Sequence, residues 1–399
     1  MLKLFYYEIR KNFLRKHIII SVLCLCLFYF VFVFINFENG VYIEAKTSAS
    51  FYEAYEKLHN KLDGAITQEN VDFIISESKR LGKKVANKDY STKYNENTYT
   101  GYEFGDAMFM SAYFYNPMNY NVSYRLHNDK LIEQIKDNIN FYKEHGNTQE
   151  KSKNEYILSK YSNRSINAFY DTSGWSALLD DKLPNLFILL ILMMGIIPSG
   201  IIDKKNHMKE VIESSVCGRN SETQSRLFAV IAFTLCVSVI FSIVRLFAFH
   251  FIVRLSGASL PIYAIETYKN SPFSCSILSF YILNILVSMI GFCAIAVVLY
   301  WISKKSKDYI FAFILSIVFL VYTIISADYI DAYSFIFKQL AIFSPYTLIN
   351  FSTIANNLRI VTFQNSTFSV IFVSVIGILS LLGIATIFSI LKNRWRKYI

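Results

Sequence analysis

Six apolar runs of membrane-spanning length constrain this chain more than any other feature of its sequence. A helix that crosses a bilayer needs roughly 20 apolar residues, with about 17 as the lower limit. The runs 18–37, 185–202, 227–253, 275–302, 309–326 and 367–391 all meet that requirement. In lipid every backbone polar group must find a partner within the protein, which leaves helices as the natural solution for such runs. The pattern therefore predicts a mainly α membrane protein with six transmembrane helices. Composition agrees, because 53% of the 399 residues are hydrophobic and only 18% are charged, against about 25% charged in soluble domains. Basic residues precede the first run as they would in a signal peptide. At about 20 residues the run exceeds a signal h-region, and no small-x-small cleavage site follows, so it reads as a retained span.

Orientation follows from the basic residues. With the N-terminus inside, the segments 1–17, 203–226, 303–308 and 392–399 face the cytoplasm and hold 17 Lys and Arg between them. The two short outside loops, 254–274 and 327–366, hold four. Both termini are thus expected to be cytoplasmic. The net charge of +10 is explained by this bias and by attraction to anionic lipid, without any nucleic-acid partner. Abundant Lys, Asn, Ile, Tyr and Phe point to an AT-rich genome, hence to the cell membrane of a low-GC Gram-positive bacterium.

Residues 38–183 are too many for a loop and predict a folded extracytoplasmic α+β domain of about 145 residues between the first two spans. Thr67 is placed to cap a helix over Gln68–Leu81, with Gly82 closing it. Leu131, Ile132, Ile135, Ile139 and Tyr142 recur at helical spacing, and Gly146 ends that run. Between them, Tyr90–Tyr124 packs 11 Tyr and Phe into 35 residues. That stretch reads as an aromatic core with interfacial contacts; a strand-and-loop layer and a ligand-facing surface are the alternatives. No cysteine falls in this region, so no disulfide framework is implied.

Motifs for chemistry are missing. "LGKKVAN" (Leu81–Asn87) has Gly-Lys but lacks the upstream glycine and the hydroxyl of a phosphate-cradling loop. "LSGAS" (Leu255–Ser259) faintly matches an ATPase signature loop, yet it lies at the outer end of the third span. Cys24-Leu-Cys26 sits within the first span as a packing or lipid-facing pair, the six histidines are scattered, and neither zinc spacing nor a nucleophile elbow appears. The chain is expected to be no enzyme and to bind no cofactor or metal itself. Arg245 is the one strong charge well inside an apolar run. It lies about 27 Å along a helix from Leu227, near the outer boundary, where snorkelling together with Arg254 is expected and lining a substrate path is the alternative. Gly195, Pro198 and Gly200 weaken or bend the second span, for static packing or for flexing during transport.

Two charged segments border the spans on the inner side. In 1–17, Leu2, Phe5, Tyr6, Ile9 and Phe13 form an apolar stripe against five basic residues, predicting an interfacial amphipathic helix; Glu8 is an acid among those bases. In 203–226, Met208, Val211, Ile212 and Val216 share one face of a short helix. Gly218 is suited to stop it, and Ser221-x-x-Gln224 forms a capping box to start the next. The expected design is an elbow that a cytoplasmic partner could move.

At these residues the chain resembles the ABC-2 type (type V exporter-like) permeases of ABC transporters. "YYEIRKNFLRKHIII" is similar to the family's interfacial helix, matching Glu8, Lys11 and Arg15. The elbow resembles the family's coupling helix, with Asp203, Glu210, Glu213, Arg219 and Arg226 at the matching positions. "FSPYTLIN" (Phe343–Asn350), including Pro345, resembles the turn of a re-entrant hairpin, here 333–352. Asn206-His207 and Cys217-Gly218 depart from the Gly and Pro frequent in the family. The resemblance implies a transport subunit that pairs with a second permease copy, identical or paralogous, and with separate ATPase subunits carrying ATP and Mg. Glu8, Asp203, Glu210, Glu213, Arg219 and Arg226 would couple to those subunits, and Arg245, Gly195, Pro198 and Pro345 are the substrate-path candidates. Peptides, drugs and amphiphiles are the implied cargo, with antimicrobial-peptide export or immunity among the roles. The rival readings are a membrane sensor or scaffold signalling through the elbow, and an ion-coupled secondary transporter, which would call for inverted repeats and buried midplane acids.

Overall fold

The computed structural model describes residues 2–37, 49–205, 218–331, 334–363 and 366–395. Among them, five helices are long and apolar enough to cross a membrane. These are α2 (Lys16–Phe37), α9 (Leu183–Lys205), α10 (Gly218–Val253), α11 (Ile277–Lys305) and α12 (Tyr309–Asp328). The short helix α1 (Leu2–Glu8) and a π turn over Ile9–Phe13 precede α2. The run expected over 367–391 falls on a helix, Val370–Trp395, but residues 366–369 before it form a strand. Its apolar part, Val370–Ile384, is shorter than the other five.

Burial shows which helix is central. In the most apolar stretch of α9, 67% of residues are buried, against 17% in α2 and 28% in α12. Close approach makes this possible. A Cβ on Gly200 would meet the Ser303 hydroxyl of α11 and lie 3.1 Å from the Lys304 nitrogen. Ser303 uses that proximity to donate to the Ile197 carbonyl at 2.5 Å, so small residues let the two backbones touch as they do in membrane bundles. In α10 the hydroxyls of Thr234, Ser238 and Ser242 each bond the carbonyl four residues back. Each of these three hydroxyls thus finds an acceptor within its own helix in an apolar setting.

The 49–182 region is helical rather than α+β. It comprises α3 (Ala49–Leu62), α4 (Gln68–Ala86), α5 (Glu103–Met110), α6 (Asn116–Glu144), α7 (Thr148–Tyr161) and α8 (Ser173–Asp180). Its only described strands are the two-residue β1 (Gly64–Ala65) and β2 (Ala168–Phe169), paired antiparallel. After a loop over 90–102, the aromatic stretch becomes α5, a π turn over Ser111–Tyr115 and the start of α6. Phe109 and Phe114 are buried there with Leu62, Ile74 and Phe169, so it is an aromatic core on helices and no strand layer. Thr67 caps α4 as expected, accepting from the Asn70 amide at 3.2 Å. Gly82 does not close that helix, which runs on to Ala86; an exposed helical glycine costs only about 0.5–1 kcal/mol. Gly146, with φ +68, ends α6 in the left-handed conformation, and Asn147 caps α7 immediately after it.

This domain is fastened to the loop between α10 and α11. Tyr120 donates to the Tyr263 carbonyl at 2.7 Å, Tyr161 to that of Asn270 at 2.5 Å, and Trp175 to that of Ser256 at 2.8 Å. Arg164 is buried between the rings of Tyr161 and Tyr263, 4.4 and 5.0 Å from their centroids. It donates to the Ser271 carbonyl at 2.8 Å, and Tyr263 in turn stacks on Tyr124 at 5.0 Å. Burial pushes the Tyr161 phenol up to about 12, so it stays a neutral donor at physiological pH.

The expected hairpin at 333–352 takes the form of two short helices, Phe335–Ile342 and Pro345–Ile349, about Ser344; residues 332–333 lie outside the described ones. Ser344 donates to the Thr323 carbonyl of α12. The Pro345 carbonyl lies 2.6 Å from where a Cβ on Gly291 of α11 would stand.

Arg164→Met should lower stability by about 2–4 kcal/mol, from a lost charged hydrogen bond and two lost ring contacts. The measurement is thermal unfolding of the purified chain followed by tryptophan emission, since Trp175 sits in the same joint. An unchanged Tm would remove Arg164 from the docking role.

Candidate functional site

At the end of the bundle where α1 begins, four elements converge. Glu8 ends α1 and is 3% exposed, while Arg226 lies in α10 and is 5% exposed. Arg226 Nε donates to Glu8 Oε2 at 3.0 Å, and Nη2 approaches Oε1 at 3.4 Å. Nη1 donates to the Ser199 carbonyl of α9 at 3.2 Å, and Nη2 also pairs with Glu222 Oε1 at 2.8 Å. Asn12 Nδ2 donates to Glu8 Oε2 at 2.7 Å. The carboxylate therefore receives a fork of charged donors plus an amide, the arrangement that suits a planar guanidinium and not a lysine. From the other side, Lys304 at the end of α11 donates to the Thr223 hydroxyl at 2.8 Å and lies over the Trp301 ring at 5.5 Å.

Below the pair, Phe13 stacks on Phe233 at 4.5 Å. Gly195 opens the slot for those rings, because a Cβ there would stand 2.8 Å from Phe233 and 3.4 Å from Phe13. Gly195 is thus a packing residue beneath the ion pair. Pro198 sits within an uninterrupted α9 and lines an apolar recess of about 450 Å³ with Met193, Met194 and residues of α12.

Two of the six residues expected to meet an ATPase, Glu8 and Arg226, are brought together here across 218 positions, facing each other instead of solvent. Asp203 falls in the last turn of α9, and Arg219 in the first turn of α10; nothing is described of their side chains. Glu210 and Glu213 lie outside the described residues. The helix start expected at Ser221 is displaced, because α10 already begins at Gly218. The expected elbow is therefore flanked by helix up to Lys205 and from Gly218 onward.

Arg245 does not snorkel. It is buried and donates through Nη2 to the carbonyls of Leu178 and Asp181, the latter at 2.7 Å, closing the C-terminal end of α8 where a cation is favoured. The Asp181 carboxylate accepts from the Tyr29 hydroxyl at 2.6 Å and from the Leu183 amide at 3.0 Å. The corner between α8 and α9 is held by these bonds. Arg254 is elsewhere, exposed and 3.2 Å from Glu56. Pro345 begins its short helix against Gly291 and borders an apolar cavity of about 370 Å³.

Asn12, Ser199, Glu222, Thr223 and Lys304 complete this junction and were not singled out from sequence. Glu222 carried a usable signal, since it precedes Arg226 by four residues on one helix face. Among the described residues no group of three or more His, Cys, Asp or Glu is placed to hold a metal ion. No family model, curated protein or solved structure matches the chain.

Removing one member of a buried ion pair strands the other, at about 3–5 kcal/mol, whereas replacing both with apolar residues is far milder. Glu8→Leu and Arg226→Met should each destabilise the chain strongly, and the double variant should be more stable than either single one. A double-mutant cycle on unfolding measures this; additive single effects would contradict the pairing.

Proposed function

We propose that the chain is the membrane-spanning permease subunit of an ATP-driven exporter, acting with separate ATPase subunits and a second permease copy. The observation that supports this best is the buried Glu8–Arg226 pair. It ties the amphipathic N-terminal helix to the foot of α10, beside the segment 203–226 that resembles a coupling helix. In this reading six spans cross the membrane, Val370–Trp395 forming the sixth, with both termini in the cytoplasm and the 49–182 region outside.

The mechanism follows from connectivity. An ATPase that grips 203–226 through Glu210, Glu213 and Arg219 pulls on the ends of α9 and α10 together. Glu8 makes α1 follow Arg226, so the interfacial helix moves with α10. The Ser303–Ile197 bond and the Gly200 contact carry the displacement from α9 to α11. No hydrolysis is assigned to this chain. It transmits work done on the partner, and its cargo would be a peptide, drug or amphiphile.

The test is co-purification and coupling. The chain expressed with the ATPase encoded beside its gene should form a stable complex in which each subunit's presence changes the other's behaviour. Glu213→Lys combined with Arg219→Glu should weaken the coupling of ATP hydrolysis to the permease by about 5–150-fold, the usual span of a coupling free energy, with Tm unchanged. A purified chain that never retains an ATPase, or a double reversal that leaves coupling intact, would end the reading.

A further inference from the structure

Where the 49–182 domain meets the spanning helices, the chain forms a half-open cavity of about 580 Å³. Its walls come from the far end of α2, the start of α6, the turn and helix of α8, and the 264–267 loop. The volume is that of a pocket for a drug-sized molecule.

Its charge is one-sided. Asp171, Asp180, Asp181 and Glu266 line it, and among the described residues no Lys, Arg or His does. Asp171 accepts from the Tyr55 hydroxyl and the Ser173 amide, and Asp181 from Tyr29 and Leu183. These are neutral donors, and neither carboxylate is in an ion pair among the described residues. Glu266 is exposed and makes no ion pair among the described residues. Arg245 lies behind Asp180 and Asp181 with its Nη2 bound to two backbone carbonyls. With Lys182 and Arg245 the cations acting on Asp180, four carboxylates still leave the cavity net negative.

A second observation is independent of the acids. Asn121 is 6% exposed and lines the same cavity, and its side chain has no hydrogen-bond partner among the described residues. Its amide atoms are not sealed from water, and what remains accessible of this side chain opens into the cavity. The remaining walls are aromatic: Phe32, Tyr113, Tyr120 and Tyr170. The Tyr120 hydroxyl is bound to the Tyr263 carbonyl, which fixes its ring as a wall. Carboxylates beside aromatic faces are what an organic cation requires, the ring quadrupole attracting the charge and the rings covering an apolar body. A bare metal ion would need converging ligands, and no such group exists among the described residues.

We propose that this cavity binds an organic cation, a compound carrying an ammonium or phosphonium charge on an apolar body. Asp180 and Glu266 supply the field, Asn121 accepts or donates one polar contact, and the tyrosines enclose the rest. Binding itself does not rest on the exporter reading; only the role of the compound as cargo does.

The test uses the purified full chain in nanodiscs of zwitterionic lipid, without any ATPase, titrated calorimetrically with tetraphenylphosphonium. Tetraphenylborate, of the same shape and opposite charge, and empty nanodiscs are the controls. Saturable one-site binding of the phosphonium is expected, with none of the borate. Asp180→Asn with Glu266→Gln should weaken it by about tenfold or more. Thr267→Lys, which places a cation at an exposed wall position, should weaken it as well and serves where the double variant does not fold. Phosphonium heats equal to those of empty nanodiscs, or affinity unchanged in the variants, would overturn the proposal. Loss of ATPase coupling with binding retained would refute only the exporter reading.

Discussion

A carboxylate and a guanidinium withdrawn from water can stay charged only if each finds the other and every remaining donor is used. Glu8 and Arg226 meet that demand with help from Asn12, Glu222 and the Ser199 carbonyl, and the geometry of one end of the bundle follows. Because Glu8 closes a seven-residue helix, α1 has little of its own to hold it; short helices are marginal in isolation. Its position comes from the pair and from Phe13 inserted below. Because Arg226 also reaches the α9 backbone, the two helices flanking 206–217 are fixed relative to one another. Lys304 extends the same junction to α11. The net value of such a pair is small compared with the penalty for breaking it, so its effect is to make one arrangement of α1, α9 and α10 the only tolerable one.

The rest of the bundle depends on missing side chains. Gly195, Gly200 and Gly291 each occupy a place where a methyl group would collide with a neighbour. In lipid the hydrophobic effect does little to bring helices together, and close contact with shared hydrogen bonds must serve. Ser303 on Ile197 and Ser288 on Ile349, the latter at 3.0 Å, are bonds of that kind.

Much of the fold was legible in the sequence where one physical demand dominates. Span length is set by bilayer thickness, and five runs became helices within a few residues of the expected bounds, apart from α10, which starts nine residues early. Thr67 was legible because an N-cap needs only a local oxygen. Gly82 misled because a glycine tolerates a helix interior when the helix is otherwise favourable. The aromatic stretch was legible as a core; its helices from Glu103 onward were not, since Tyr and Phe favour strands by propensity, yet burial against α3 and α4 decided for helix. Glu8 and Arg226 were both noticed, one as an odd acid among bases and one before an apolar run. That they belong to each other was not readable, since the bond spans the chain and no local pattern encodes it. The cavity was invisible for the same reason, its four carboxylates being drawn from three separate stretches. Arg245 shows how a one-dimensional depth estimate fails once a neighbouring helix ends beside the residue.

The joint between the helical domain and the 254–276 loop has a consequence for how such a molecule can vary. Tyr120, Tyr161, Arg164 and Trp175 all donate to backbone carbonyls of that loop and to none of its side chains. Away from Tyr263, whose ring covers Arg164 and Tyr124, and Ser256, whose hydroxyl donates to the Asp171 carbonyl, loop sequence is therefore freer to drift than loop path, provided the carbonyls of Ser256, Tyr263, Asn270 and Ser271 stay where they are. A domain transplanted onto another set of spans would arrive with four polar groups searching for acceptors. Domain and loop should behave as one heritable module, exchanged together or not at all, although more than 70 residues of other structure separate them in the chain.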